Sequence, residues 1–355
     1  MSGVILPLEV IAADHHGMVG AKMLRLAQLA RHGFSVPTGF VVTTEAFRRH
    51  MAQPAIEQAI IAHLRDLDEA DIAGAKRASA GISAAIMSGS VDGAVLAQIV
   101  GAYDALCRSL GTADVATAVR SSATGEDAAD ASFAGQYESF LGIAGADAVV
   151  EAVKGVWASL FSDRALLYRK RRNLEHWQTP IAVGVIHLVD AKSAGVAFSI
   201  HPTTGRGDRI VVEANWGWGE AVVQGLVSPD HVEIDKEEMR LLDYRVADKR
   251  VMSTFDAAAG RVVEQPMSDA RRLVPVLTPE EAIAIARIVV ELERISGHAV
   301  DVEWVIDRAR APAAPVMLVQ YRPVTRTGDG RLPAWDPRAI ALRFIRPTTT
   351  EALAP

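Results

Sequence analysis

The chain has 355 residues, half of them hydrophobic and 23% charged, enough for two or three subdomains with a substantial core. Its net charge of −6 argues against a general nucleic-acid binder, whose affinity would rest on clustered lysines and arginines. A single cysteine excludes an internal disulfide and suits a reducing cytoplasm, and no run of about 18 uncharged apolar residues marks a membrane span.

Met1 to Val10 carries no basic segment and does not read as a signal peptide. Val19 to Ala30 has helical periodicity that Gly33 can stop, which puts Lys22 in the first turn, where a cation opposes the helix dipole. Two readings of Lys22 stand: a solvated surface residue, or a cation set beside free N–H groups to meet an anionic ligand. Val36-Pro37-Thr38-Gly39-Phe40 is a turn feeding a buried strand that runs to Thr43. From Thr44 to Ser109 the chain is Ala-rich and helical, a scaffold in which Cys107 sits as a buried, inert thiol.

Ala118-Val119-Arg120-Ser121-Ser122-Ala123-Thr124-Gly125-Glu126-Asp127, followed by Ser132-Phe133-Ala134-Gly135-Gln136, has the chemistry of a phosphate cradle. An apolar run from Val115 delivers Arg120 to a strand end. The residues beyond it are small or hydroxyl-bearing, leave backbone N–H groups uncovered, and supply glycine where backbone must approach a ligand. Polyphosphate needs that combination of fixed positive charge, N–H donors and little bulk. For an isolated Arg-Ser-Ser the plainer reading is a turn between strands.

Tyr137 to Ile143 is a strand, and a long helix begins near Asp147 with Val150, Val153, Trp157, Phe161 and Ala165 on one face. A second helical piece starts at Asp163, and the basic run Arg169 to Arg172 is its solvated end. Ile181 to Val189 and Ala194 to Ile200 are strands about the turn 190–193, and Arg209 to Ala214 is another. In Asn215-Trp216-Gly217-Trp218-Gly219-Glu220 the glycines allow backbone to approach a ligand, and the indoles either wall a pocket or simply pack. Thr278-Pro279-Glu280-Glu281 is a capping box opening a helix that Gly297 ends.

The strands Val300 to Ile306 and Val316 to Arg322 form a hairpin. Side-chain alternation puts Asp301 and Glu303 on one face of the first strand, and Gln320 and Arg322 on one face of the second. If the faces match, carboxylates lie beside an amide and a guanidinium, a grouping suited to a magnesium nucleotide. A solvated edge hairpin with one surface ion pair, worth under about 1 kcal/mol, is the alternative.

Taken together, Gly20-Ala21-Lys22, Val36 to Phe40, Ala118 to Gln136, Phe198-Ser199-Ile200, Trp216 to Glu220, Asp301-Val302-Glu303-Trp304 and Gln320-Tyr321-Arg322-Pro323 resemble the N-terminal ATP-binding domain of phosphoenolpyruvate synthase and pyruvate phosphate dikinase, shared by rifampicin phosphotransferase. The resemblance covers about residues 8–326. It implies an α/β (α+β) ATP-grasp-like fold with nucleotide held between lobes. The lobes expected are 1–178, with Lys22 and the phosphate loop, and 179–326, with a base pocket and the metal–phosphate hairpin; 327–355 would be a tail or partner-docking linker.

By the same resemblance Lys22 and Arg120 hold phosphates and the loop through Gly135 and Gln136 closes over them. Asp301, Glu303 and Gln320 match magnesium and nucleotide positions, Glu303 and Gln320 being the metal ligands, and Arg322 matches a second phosphate arginine. Lys22, Arg120 and Arg322 are the implied catalytic set. Glu213 matches a position near the nucleoside, and Val185 to Leu188 the stretch that passes the base. The family usually has Gly-Gly-Lys where this chain has Gly20-Ala21-Lys22, and Trp-Gly-Leu-Gly where it has Trp216-Gly217-Trp218-Gly219.

The implied cofactors are ATP and Mg²⁺, and the implied activity is transfer of the β,γ-diphosphoryl group to a histidine on a swivelling domain. Neither that domain nor an acceptor barrel is evident here. The chain is therefore expected to be a split subunit or an excised domain, and the expected partner of a split subunit is a separate subunit carrying the phosphohistidine and a small-molecule acceptor site. The smaller ATP-binding subunit of phenylphosphate synthase, which activates phenol, is one family member of this kind. Phosphoenolpyruvate synthase-like and rifampicin phosphotransferase-like complexes are others. A non-catalytic ATP-sensing module and a self-contained kinase making ADP are rival functions. The setting expected is cytoplasmic, with no nucleic-acid or membrane partner.

Overall fold

A computed structural model describes residues 3–65, 67–68, 71–124, 137–171, 180–219, 228–256, 261–308 and 316–324. In chain order the first elements are β1 (Ile5–Pro7), α1 (His16–Arg31), β2 (Gly39–Val42), α2 (Thr44–Met51), α3 (Pro54–Leu64), α4 (Ile72–Ser88) and α5 (Gly93–Leu110). There follow β3 (Thr117–Ala123), β4 (Ser139–Ile143), α6 (Ala146–Ser159), α7 (Asp163–Arg171) and β5 (Ile181–His187). The remainder comprises β6 (Ala191–Phe198), β7 (Arg209–Trp216), β8 (Asp230–Asp235), β9 (Leu241–Arg245), β10 (Val251–Asp256), β11 (Arg261–Pro266), α8 (Asp269–Arg272), α9 (Pro279–Ser296), β12 (Val300–Asp307) and β13 (Met317–Pro323).

The chain divides into two units, 1–192 with 254–263 and 302–322, and 193–253 with 264–301 and 323–355. This differs from a break near residue 178. β5 stays with the first unit because it is an inner strand there, bonded to β2 on one side and β3 on the other. Residues 302–322 join it through Leu318 N–H donating to the Ser35 carbonyl, Arg120 to the Val319 carbonyl and Arg308 N–H to the Asp190 carbonyl. The expected tail 327–355 lies outside the described residues.

In the first unit the sheet runs β1-β2-β5-β3-β4, with antiparallel registers such as Val119 opposite Val185 and Phe40 opposite Val185. β5 is a nearly unbroken apolar run because both of its faces are covered. Phe40, Phe47, Val119, Trp157, Val183 and Val185 belong to one core on the side of α2 to α6. Helix α1 packs on β3 and β5.

The α1–β3 contact is unusually close. Gly20 interrupts α1 with φ 70° and ψ 170°, and a Cβ there would run into the Ser122 carbonyl. The helix restarts at once, with Met23 N–H donating to Ser122 Oγ at 3.2 Å, so a strand hydroxyl takes one of the unpaired first-turn donors. Lys22 is indeed in a first turn, that of this restarted segment.

Arg169 is a correction. The basic run at the end of α7 was expected to be solvated, and Arg171 is exposed, but Arg169 is fully buried. Helical spacing puts it on the same inward face as Ala165 and Leu166. There its guanidinium donates to the Leu160 carbonyl just past α6 and lies over the Phe161 ring at 5.8 Å. Cys107 is buried, as expected.

In the second unit β6, β7, β8 and β9 are successive antiparallel neighbours, and α9 packs on β7 and β8. The apolar stripe of α9 is Ala282, Ile285, Ala286, Val289 and Leu292. Its capping box forms as read: Glu281 N–H donates to Thr278 Oγ1 at 3.2 Å, and Thr278 N–H to Glu281 Oε2 at 3.0 Å, while Gly297 closes the helix at φ 71°. Asp230 and Lys249 form a fully buried ion pair, and the Asp230 carboxylate also accepts from Ala247 N–H, Val276 N–H and Tyr244 OH. Burial pushes the Tyr244 phenol up to about 12. Among the described residues no single helix is long and apolar enough to cross a membrane.

Gly20→Ala is expected to lower stability by about 2 kcal/mol or more, since it adds left-handed strain to a backbone collision. Gly17→Ala, one turn earlier with open space around it, should be nearly neutral. Urea denaturation of both variants measures the contrast.

Candidate functional site

Arg120 projects from the middle of β3, which continues to Ala123, rather than from a strand end. Its guanidinium is held at three points. Nη1 donates to the Val319 carbonyl at 3.2 Å, while Nη2 donates to Gln320 Oε1 at 3.0 Å and reaches Glu303 Oε2 at 3.4 Å. Arg322 Nη2 donates to the other carboxylate oxygen, Glu303 Oε1, at 3.2 Å. Alternation on β13 puts Gln320 and Arg322 on one face, and β13 neighbours β12, so the faces inferred from sequence do meet.

The cluster is half-sheltered: Arg120, Glu303 and Arg322 side chains are 19%, 17% and 34% exposed. Burial would raise the Glu303 carboxyl, but Arg120, Arg322 and Lys22 together outweigh it and hold the group below the usual carboxylate range. Lys22 thus acts electrostatically on the same carboxylate from the restarted turn of α1. Three cations facing one carboxylate leave a positive surplus in low dielectric, and guanidinium forks match phosphate oxygens in pairs. This arrangement has the charge and the donor geometry that a polyanion of the phosphate type requires.

Glu303 and Gln320 offer the hard oxygen donors that Mg²⁺ prefers, and one carboxylate with one amide leaves room for phosphate and water ligands. Among the described residues no group of three or more His, Cys, Asp or Glu could hold a metal alone. A metal here would depend on oxygens brought by the ligand. Asp301 lies two residues before Glu303 on β12, in the part of that strand assigned to the second unit. Gly135 and Gln136 lie outside the described residues. In the stretch expected to pass a base, Val185 and Ile186 are buried in the sheet, and His187 and Leu188 are half-exposed at its end.

Glu213, in the second unit, is engaged by another side chain. His231 Nδ1 bonds its carboxylate at 2.7 Å, and His231 Nε2 lies 3.3 Å from Glu233 Oε1, whose second oxygen is bound by Arg209. Glu213 and His231 are opposite in the β7–β8 register. Burial raises the Glu213 carboxyl against the pull of His231, and the bond to Glu213 raises the His231 imidazole against burial. Burial would also raise Glu233, but Arg209 and His231 push it down. The sequence signal for this row is the alternation of His231 and Glu233 on β8.

Two further motifs serve packing. Gly217, at φ 72°, lets its backbone approach the Ser253 carbonyl, and Trp216 is buried beneath the Arg271 guanidinium at 4.8 Å. The glycine therefore admits protein backbone rather than a ligand. Ser199 Oγ accepts from Val300 N–H at 2.8 Å and donates to Glu293 Oε1 at 2.9 Å, tying β6 to α9 and the start of β12.

Residues 16–335 match the family described as pyruvate phosphate dikinase, AMP/ATP-binding domain, and the chain belongs to that family. It is 39% identical over 321 residues to a probable phosphoenolpyruvate synthase of Methanothermobacter thermautotrophicus, covering 90% of this chain and 46% of that protein. It is 35% identical over 349 residues to the phosphoenolpyruvate synthase of Aeropyrum pernix, covering 91% and 42%. It is 33% identical over 326 residues to the rifampicin phosphotransferase of Bacillus subtilis, covering 92% and 36%. The chain thus spans less than half the length of these relatives, in which it corresponds to the ATP-binding domain of a dikinase-type phosphotransferase.

The raised His231 carries a sign that stability measurements can read. A histidine stabilised in its charged form contributes fully below its unfolded value of 6.5, and the contribution is lost as pH rises through its folded value. Urea midpoints of the wild type should therefore fall as pH rises above 6.5, and His231→Gln should flatten that slope. An unchanged slope would exclude the Glu213–His231 pair as its source.

Proposed function

We propose that this chain is the ATP-grasp-like nucleotide-binding component of a dikinase-type phosphotransferase. It passes the β,γ-diphosphoryl group of ATP to a histidine nitrogen on a partner subunit or domain. The nitrogen–Pβ bond forms as the bond from Pβ to the α,β-bridging oxygen breaks, and that oxygen leaves on AMP as a phosphate monoester; water then cleaves the anhydride of the histidine-bound diphosphate, which releases Pi and leaves phosphohistidine. The observation that carries this reading is the convergence of Arg120, Glu303, Gln320 and Arg322, with Lys22 acting on the same carboxylate.

Little covalent chemistry falls to this chain, whose task is positioning and charge neutralisation. Arg120, fixed by the Val319 carbonyl and Gln320, presents a pre-oriented guanidinium. Arg322, the most exposed of the cluster, is suited to the phosphate group that leaves with the acceptor. Lys22 adds a third charge. Glu303 and Gln320 would hold Mg²⁺, which when bound neutralises phosphate charge and orients the chain of phosphates. The setting we assign is cytoplasmic, consistent with a lone buried cysteine.

The acceptor belongs to the partner. The relatives above favour phosphoenolpyruvate synthase-like or rifampicin phosphotransferase-like chemistry over the phenol of a phenylphosphate synthase. Labelled Mg·ATP incubated with and without a histidine-bearing partner should give AMP and an acid-labile phosphoprotein only when the partner is present. ADP formed without a partner would identify a self-contained kinase, and tight binding with no turnover a nucleotide sensor. Arg322→Ala should abolish transfer while leaving the circular dichroism spectrum and melting temperature close to wild type. Full activity in that variant would remove Arg322 from the site.

A further inference from the structure

Both guanidiniums already share one internal carboxylate. Glu303 gives one carboxylate oxygen to Arg120 and the other to Arg322, and feels Lys22 as well. One anionic group with an oxygen on each of two guanidiniums is the pairing that a phosphate group would make with them. A polyphosphate that takes these cations must part them from Glu303 and then leave its carboxylate among phosphate oxygens. Like charges so placed in a sheltered, partly desolvated site repel strongly. A divalent cation seated between carboxylate and phosphate removes the conflict, because the oxygen released from the arginines becomes its ligand.

We propose that Glu303 is an internal phosphate mimic that makes this site discriminate metal-loaded from metal-free polyphosphate. This rests on the nucleotide reading above and deepens it. The discrimination comes from a repulsive element as much as an attractive one. Without metal, the ligand competes with Glu303 for Arg120 and Arg322. With metal, Glu303 changes from competitor to ligand. Gln320 cannot substitute, since its amide is neutral and its oxygen serves Arg120 alone among the described contacts.

Glu303→Gln tests this because it keeps the shape and the hydrogen-bond acceptor but removes the charge. Arg120 retains Val319 and Gln320 as partners in that variant. Calorimetric titration with ATP in chelator, with Mg·ATP, and with inorganic tripolyphosphate in chelator reads the effect without turnover. For the wild type, Mg·ATP should bind at least about tenfold tighter than metal-free ATP, about 1.4 kcal/mol. In Glu303→Gln, metal-free ATP and tripolyphosphate should tighten at least about tenfold, and the gap to Mg·ATP should close.

A variant that weakens all three probes alike would make Glu303 a simple structural or binding group and overturn the proposal. So would a wild type that binds metal-free ATP as tightly as Mg·ATP, a result decisive even if the variant does not fold. Both outcomes leave the nucleotide site standing. No binding of any probe to either protein would remove the nucleotide reading and this proposal with it.

Discussion

One backbone approach organises the first unit. Gly20 brings α1 against the Ser122 carbonyl, and because that strand position is fixed in the β3–β5 ladder, the helix has no freedom to slide. Ser122 Oγ then receives Met23 N–H and defines where the helix restarts. Lys22 lies in that turn by necessity, and Arg120 stands two residues from Ser122 on the same strand face. The two cations therefore share one origin. A bulkier residue at position 20 would move Lys22 relative to Arg120 before it changed anything at the site itself.

Two ionic clusters among the described residues differ in a way that separates a closed pair from an open one. Asp230 and Lys249 are wholly buried, and the carboxylate is saturated by two backbone N–H groups, a phenol and an ammonium. Such a closed pair can be broken only at a large penalty and has no valence left for a ligand. Arg120, Glu303 and Arg322 are joined by longer contacts, remain partly open, and carry more positive than negative charge. The first arrangement fixes segments far apart in sequence. The second is poised to exchange one anion for another.

What the sequence made legible was local or periodic. The capping box of α9 involves residues three apart, and the shared face of Gln320 and Arg322 follows from strand alternation. The cation pair was found through side-chain types that have few other reasons to recur in half-apolar strands. What it concealed depended on partners far along the chain. Arg169 looked like a solvated terminus because the Leu160 carbonyl and Phe161 ring that bury it are fixed by the turn between α6 and α7. Gly217 looked like a ligand loop because nothing local announces Ser253, and nothing local to Glu213 announces its partner His231, which the next strand supplies. The division into units was hidden for the same reason: residues 254–263 and 302–322 return to a unit begun at the N-terminus.

That return has a bearing on how the molecule is made. Arg120 meets Glu303 and Gln320 across 183 and 200 residues of chain. A ribosome that has delivered the whole β1-β2-β5-β3-β4 sheet has still not delivered the residues that pair with its half-sheltered guanidinium. Until translation passes Arg322, the nascent first unit holds an assembled sheet with an unanswered positive charge. Long-range closure of this kind slows folding and prolongs the life of incomplete intermediates.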